Sequence, residues 1–534
     1  MDSPRGEGRM STRKRSAPGN AACAEEEGRY TLGGEKILPV RTTLPKETRS
    51  LCPECLRTIS AEVFEENGRV MMRKRCPDHG TFTDVIFSDV KMYLRLEQWY
   101  FGDGEGFANP VDGAGKECPN RCGICGAHST HTSLANVDLT SRCNLSCAVC
   151  FADANRNSFE PSFEQVVEML RRLRAQRPAP AFAVQFTGGE PTLHPRFFDI
   201  VAEARKMGFS HLQAATNGIR FADPEFARRA REAGLHYLYL QMDGTTDDVF
   251  LKIRGKALLD TKLRVIDSAR KAGLRVIFVP TIVKGVNDHQ IGDLCRLAFE
   301  HLDVLSGISF QPMTFTGRYP ESEREKLRFT LSDLSREFSR QTGLTHPLED
   351  WFPLNAAVPL VRYAGAVTGN VAVNHACHPH CGLMTLFFVG RDREAVPITR
   401  FLDLRGLVGE VERLTVRART SRVKSLSKVR ALQAFYRFFH EDRAPEGLTF
   451  LRFLKTLDGF ADKKYSWDGK YEGHTYKTFY VLGMHFMDAY NYDLERVSRC
   501  GVHYSAPDGR IYPFCTYNSG PMHRHRVENS IASS

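Results

Sequence analysis

Thr140-Ser141-Arg142-Cys143-Asn144-Leu145-Ser146-Cys147-Ala148-Val149-Cys150-Phe151 is the stretch on which the reading of this chain turns. Cys143, Cys147 and Cys150 form a C-x3-C-x2-C triplet directly after a short β-like run. Three thiolates at this spacing can hold three irons of a [4Fe–4S] cluster and leave the fourth iron open to another ligand. A zinc knuckle takes four ligands, usually in two pairs, and no fourth ligand lies nearby. Phe151 stands where it would shield the edge of such a cluster.

Outward from the triplet, strand-like and helix-like segments alternate. Strands are expected at Asn136–Thr140, Phe182–Phe186, His211–Thr216, Tyr237–Gln241, Arg275–Thr281 and Gly307–Gln311. Amphipathic helices are expected between them, at Phe163–Arg174, Phe197–Lys206, Pro224–Ala233, Thr261–Lys271 and Gln290–Leu302. This βα alternation predicts an α/β fold, a parallel sheet with outer helices. In barrels of this kind the chemistry sits at the carboxyl ends of the strands. Three motifs stand there: Gly188-Gly189-Glu190 after the second strand, Thr216-Asn217-Gly218 after the third, and Gln241-Met242-Asp243 after the fourth. Glycine lets backbone approach a ligand closely.

The triplet, its strand-then-loop setting and Gly188-Gly189-Glu190-Pro191 together resemble the radical S-adenosylmethionine (SAM) superfamily. That resemblance implies a partial (β/α)6 barrel, with the amino and carboxylate groups of SAM chelating the fourth iron. It implies reductive cleavage of SAM to a 5′-deoxyadenosyl radical that abstracts hydrogen from an unactivated carbon. The electron would come from an external donor of the flavodoxin or ferredoxin type. Carried over to this chain, Gly188, Gly189 and Glu190 would meet the methionine amino group, and Asn217 and Asp243 the ribose or methionine portion.

Three further groups have metal-ligand spacing. Cys52-Pro-Glu-Cys55 and Cys76-Pro-Asp-His79 read as two knuckles separated by a hairpin-like stretch with Asn67-Gly68 at its turn. Three sulfurs and an imidazole close a tetrahedral site suited to structural Zn²⁺ or a rubredoxin-like iron. Cys118, Cys122 and Cys125 repeat the first triplet's spacing and are expected to hold a second cluster. Its fourth ligand would come from His128, His131 or a distant cysteine. Cys377, Cys381, Cys500 and Cys515 make a four-thiol set in Gly/Pro/His-rich loops, where free backbone amides can tune a cluster's potential. Cys23 and Cys295 read as ordinary cysteines. The expected inventory is about three [4Fe–4S] clusters and one Zn or mononuclear Fe.

The expected domains are a disordered leader (1–45), a small metal-binding module (46–115), the barrel with its preceding triplet (116–320), and a mostly helical region carrying auxiliary cluster loops (321–534). A chain of 534 residues, 42% hydrophobic and 25% charged, is too long for one core and reads as globular. No stretch has the length of a membrane span, and the N-terminus lacks the apolar segment of a secretory signal. Fifteen cysteines in short-range groups suit metal ligation in a reducing cytoplasm, with oxygen sensitivity. The net charge of +10 is concentrated at Arg413, Arg417, Arg419, Arg422, Lys424, Lys428 and Arg430, which face only Glu412. That segment reads as a solvated helix face or as a contact with the anionic inner face of a membrane. It lacks the interleaved aromatic residues of a nucleic-acid surface, and no nucleic acid is expected as a partner.

Several stretches are more specific than the superfamily: CPEC…CPDHG (52–80), ECPNRCGICGAHSTHT (117–132), VPTIVKGVNDHQIG (279–292), FQPMTFTGRYP (310–320), HPHCGL (378–383) and RCGVHYSAPDGRIYPFC (499–515). With TSRCNLSCAVCFADA (140–154), this set resembles the tetraether (membrane-spanning) lipid synthase family, some of whose members have been called pterin methylases. The resemblance implies coupling of two lipid hydrocarbon tails through a carbon–carbon bond. Such coupling needs two hydrogen abstractions and a place to hold the first alkyl radical, for which an auxiliary cluster is a candidate. Lipid coupling predicts a long apolar cavity lined from residues 476–492 and their neighbours. The alternative, radical C-methylation of a pterin or other small heterocycle, predicts a polar pocket with hydrogen-bonding groups. Peptide maturation would call for an N-terminal peptide-binding module, of which the sequence shows no sign. A plain Fe–S electron carrier accounts for the cysteines but not for the barrel or Gly188–Glu190.

Overall fold

The computed structural model describes residues 31–32, 35–36, 43–99, 106–110, 118–319, 323–369, 371, 373–390, 393–421, 424–461, 476–519 and 521–532. Most of the expected leader, including Cys23, lies outside the described residues.

The N-terminal module is a four-stranded antiparallel sheet of β1 (Lys46–Leu51), β2 (Thr58–Glu66), β3 (Arg69–Cys76) and β4 (Gly80–Phe87), paired in chain order. Asn67 (φ 53°) and Gly68 (φ 75°) close the β2–β3 hairpin. Two left-handed residues give this turn the twist that the flanking strands require. Helix α1 (Val90–Glu97) follows, capped by Asp89, whose carboxylate accepts from the Lys91 and Met92 N–H groups.

The central unit runs β5 (Leu134–Thr140), α2 (Phe163–Ala175), β6 (Ala183–Gly188), α3 (Phe197–Lys206), β7 (His211–Thr216), α4 (Pro224–Ala233), β8 (Tyr237–Gln241), α5 (Asp247–Arg254), α6 (Leu259–Ala272), β9 (Arg275–Val279), α7 (Ile291–Glu300) and β10 (Leu305–Pro312). All six expected strands are present and pair in parallel. Their nearly continuous burial, as in β5 and β6, is what a sheet covered on both faces demands. Local signals set the helix ends. Ser162 and Gln165 form a capping box on α2, and Gly234 ends α4 in the left-handed conformation.

The region 321–534 holds strands as well as the expected helices. It contains α8 (Leu331–Thr342), α9 (Val358–Thr368), α10 (Leu404–Thr420), α11 (Lys424–Phe438) and α12 (Phe450–Ala461), but also β11 (Gly382–Val389), β12 (Lys477–Met484), β13 (Val502–Ser505) and β14 (Ile511–Pro513). Strand β12 pairs in parallel with β10, and β13 in parallel with β5, so eight consecutive parallel strands form one curled half-barrel. Antiparallel β11 and β14 extend its two edges. The run Thr478–Met484 is apolar throughout, so its periodicity does not separate strand from helix; only its partner β10 decides.

Loop 485–493, between β12 and β13, docks the N-terminal module. Lys74 Nζ donates to the Ala489 carbonyl (2.5 Å), and the Ser50 hydroxyl donates to the Tyr492 carbonyl (2.5 Å). Buried Arg328 bridges Asp84 of the module (2.6 Å) and Asp488 (2.6 Å).

The β10–β12 joint admits no side chain at Gly307, where a Cβ would lie 2.6 Å from the Tyr480 ring and carbonyl. Gly307→Ala should destabilise the protein by about 1–3 kcal/mol, the usual cost of overpacking, measurable by thermal or denaturant unfolding. An unchanged midpoint would mean that β12 does not complete the barrel.

Candidate active site inside the half-barrel

A cavity of about 520 Å³ occupies the interior of the half-barrel. Its walls take alternate residues of each strand: Ala183, Gln185 and Thr187 of β6, His211, Gln213 and Ala215 of β7, and Tyr480, Leu482 and Met484 of β12. That alternation is the inward face of a barrel. Cys143, Cys147 and Cys150 line one end, with Gly188, Gly189, Glu190 and Asn217.

The cysteine loop is clamped from three sides. Gly189 N–H donates to the Thr140 carbonyl (2.7 Å) and Glu190 N–H to the Arg142 carbonyl (2.8 Å). A Cβ on Gly188 would lie 2.3 Å from the Thr140 oxygen, and one on Gly189 would lie 2.4 Å from the Arg142 oxygen. The close approach that requires glycine is therefore to the cluster loop itself. Arg318 donates to the Cys147 carbonyl (3.0 Å), while its backbone bridges to Cys150. Gly317 (φ 69°) makes that crossing possible, since a Cβ there would meet the Cys150 oxygen at 2.4 Å. From the third side Arg254 donates to the Val149 carbonyl (3.3 Å). Burial pushes the Cys143 thiol up to about 12, with the Glu190 carboxylate and the Cys147 and Cys150 thiols adding to it. Crowded, half-buried thiols of this kind suit a cationic iron centre that holds them as thiolates.

Glu190 and Asp243 each hold other groups of the site in place. Glu190 is 1% exposed. It accepts from the Thr192 hydroxyl (2.6 Å), the Thr216 hydroxyl (2.8 Å) and the Asn217 N–H (2.8 Å). Its carboxylate thus shapes the β7 turn that presents Asn217, whose side-chain amide lies 4.0 Å from the Cys143 sulfur. Asp243 does not line the cavity; both its oxygens are held by Arg254 at 2.8 Å, with Gln241 and the Thr281 N–H adding 3.0 Å contacts. It positions Arg254 and Gln241, which do line the cavity. A bidentate guanidinium–carboxylate pair is geometrically specific, so it fixes both partners.

Cys52, Cys55, Cys76 and His79 bring all their ligand atoms within 4.8 Å of one another. The Cys55–Cys76 sulfur separation is 3.9 Å, close to the ~3.8 Å that a tetrahedral thiolate site with ~2.3 Å bonds requires. The four-thiol set also converges: the Cys381 carbonyl accepts from the His485 N–H (3.0 Å) and the Cys515 sulfur from the Met487 N–H (3.3 Å), while desolvation pushes the Cys377, Cys500 and Cys515 thiols up, with their neighbouring thiols adding to it. Arg496, whose sequence gives no signal beyond lying four residues before Cys500, sits beside Cys381 and Cys515 and supplies positive charge there. In the upstream triplet, burial and the neighbouring Cys125 push Cys122 up to about 12, and burial raises Cys118 well above its ordinary value. Its proposed ligand His128 points Nε2 at His503 (2.9 Å) and the Cys500 carbonyl (2.8 Å).

Sequence reasoning missed the polar wall of the cavity. Gln185 donates to Asn136 (2.8 Å), Gln213 donates to Gln185 (2.5 Å), and His211 shares a hydrogen with Gln213 (2.8 Å). Gln311 donates to the Tyr239 hydroxyl (3.0 Å), which donates to Ser309 (2.7 Å). The signal was an inward-facing glutamine in an otherwise apolar strand, repeated on β6, β7 and β10.

Glu190→Ala should leave the Thr216 hydroxyl and Asn217 N–H without their acceptor, at about 1–3 kcal/mol for each group orphaned. Unfolding should show this loss, and Glu190→Gln should recover part of it. Removing the metal from Cys52, Cys55, Cys76 and His79 with a strong chelator should release a single ion and unfold β1–β4, because binding a structural metal is folding free energy. Metal analysis with far-ultraviolet circular dichroism tests this; an unaltered sheet signal after release would refute it.

The radical SAM superfamily model matches residues 137–298, and the HMPTM N-terminal zinc ribbon domain matches residues 44–88. The 7,8-dihydro-6-hydroxymethylpterin dimethyltransferase of Methanocaldococcus jannaschii is 39% identical over 92% of this chain and 96% of its own length. A probable GTP 3′,8-cyclase of Thermoplasma volcanium is 29% identical over 38% of this chain, a match that spans 61% of the cyclase. Streptococcus suis SuiB bound to S-adenosylmethionine aligns with 16% identity and a TM-score of 0.34, over 40% of this chain and 47% of that one. The full-length relative is named for a pterin and not for a lipid. The protein is an enzyme that uses SAM and iron–sulfur chemistry. It belongs to the radical SAM superfamily and, within it, to the family of the Methanocaldococcus jannaschii 7,8-dihydro-6-hydroxymethylpterin dimethyltransferase.

Proposed function

We propose that this radical SAM enzyme methylates carbon atoms of a pterin or a related flat heterocycle. The observation that carries this reading is the row of amide and phenol groups inside the half-barrel. The cavity-lining amides of Gln185, Gln213 and Gln311 keep hydrogen-bonding capacity that the carbonyls and ring nitrogens of a heterocycle would use and an alkyl chain would not. The name of the full-length relative supports the same substrate class.

In this reading Cys143, Cys147 and Cys150 hold the cluster at the cavity's end, and Asn217, Gln241 and Arg254 surround bound SAM. Together these cofactors supply a carbon-centred radical able to remove hydrogen from an unactivated carbon. The chain's own residues do the rest. Gly188 and Gly189 hold the cysteine loop in place, the glutamine row orients the ring, and the apolar residues of β12 exclude water. Cys377, Cys381, Cys500 and Cys515 are proposed to hold one auxiliary cluster beside Arg496, and Cys118, Cys122 and Cys125 another. Zinc is the ion proposed for Cys52, Cys55, Cys76 and His79, in keeping with the matching ribbon family.

A second reading, coupling of lipid tails, is favoured by the opposite wall of the same cavity. Leu354, Tyr480, Leu482, Met484, Phe486 and Phe514 form an apolar face there. It accounts for the segment 476–492 lining the site, but gives the amide row no polar partner.

Expression in an anaerobic host, with mass spectrometry of both pterins and lipids, separates the two. A new methylated pterin with unchanged lipids is the expected result. Coupled chains two hydrogens lighter than the sum of their parents, with unchanged pterins, would replace the first reading by the second.

A further inference from the structure

Helices α10, α11 and α12 pack on a second core through Leu407, Val411, Ala434 and Phe453. Helix α11 also carries large apolar residues on the opposite side, beside the exposed Gln433. Ser427 and Ala434 face inward, while Leu426, Val429, Leu432 and Tyr436 are 44–65% exposed. At ~3.6 residues per turn these four fall within about one-third of the helix circumference. A surface helix of a globular protein turns polar groups to that side. Val416 on α10 and Leu451 on α12 are still more exposed, so six of the ten large exposed apolar residues among those described stand on these three helices.

The charge of the same segment is one-sided. Residues 413–430 contain seven Lys and Arg and no Asp or Glu, and 404–461 carry a net +6 of the chain's +10. By helical position Lys428 and Arg430 flank the apolar stripe of α11 on either side. An apolar stripe bordered by basic groups is the pattern of a helix lying in a membrane interface. A second copy of the chain would bring two positive faces together. A nucleic acid would find only Tyr436 to stack on along the stripe.

We infer that α11, with its neighbours, docks the enzyme on an anionic lipid bilayer. Leu426, Val429, Leu432 and Tyr436 enter the headgroup region, and Lys428 and Arg430 meet lipid phosphates. The inference is independent of which substrate the barrel takes.

Cosedimentation of the full-length, cluster-reconstituted enzyme with vesicles tests it. Phosphatidylglycerol vesicles should retain the enzyme at least tenfold more tightly than phosphatidylcholine vesicles. The variant L426S/V429S/L432S/Y436S should lower affinity for phosphatidylglycerol at least tenfold, and so should K428E/R430E. Iron content and SAM cleavage should be unchanged in both, showing that the fold and cluster survive. A wild-type enzyme that stays in the supernatant with phosphatidylglycerol overturns the inference. So does a serine variant that binds as well as the wild type. A wild-type dimer that the serine variant splits, seen by sedimentation velocity, would give the stripe to a second copy of the chain instead.

Discussion

The backbone of Gly188 and Gly189 lies so close to Thr140–Arg142 that no side chain fits between them. This apposition joins the end of β6 to the loop that carries three cysteines, and the rest of the site is arranged around it. Glu190 follows directly and uses its buried carboxylate to set the turn after β7. That turn presents Asn217 to the cysteines. Arg254 and Arg318 then hold the far side of the loop through its own carbonyls. A loop held by backbone contacts on several sides keeps its thiols in place without help from the metal, as pre-organised sites require.

The C-terminal half completes the barrel and does not merely cover it. Strands β12 and β13 extend the two edges of the six-stranded core in parallel. Because Cys381 directly precedes β11, Cys500 precedes β13 and Cys515 follows β14, these pairings carry three distant thiols to one place. The loop between β12 and β13 also carries Asp488 and the carbonyls that anchor the N-terminal sheet. Assembly of the barrel and convergence of the auxiliary thiols are therefore one event.

The cavity has two chemical faces because two kinds of strand build it. Strands β6, β7 and β10 contribute amides, and β12 contributes Tyr480, Leu482 and Met484. Buried amides that bond one another stiffen a wall and mark positions for a polar ligand. The apolar face opposite excludes water from a radical reaction.

Much of this was legible in the sequence. The three-cysteine spacing, the six βα units and the Cys52–His79 knuckles depend on short-range patterns, and each stands in the structure near its expected place. Asn67-Gly68 sets the module's hairpin for the same local reason. The edges β12 and β13 were not legible, since an apolar run becomes a strand only when a neighbour offers free hydrogen-bonding groups. Nor were the contacts of Gly189, Glu190 and Asp243, whose partners lie dozens of residues away or across a turn. Sequence by itself determined which atoms are available as ligands and where the parallel strands begin. Tertiary structure decided which carboxylates are spent on holding other residues and which amides, like that of Gln213, line a cavity. The reason is physical: local spacing governs covalent reach and helix or strand period, whereas burial and hydrogen-bond partnership belong to groups brought together only by folding.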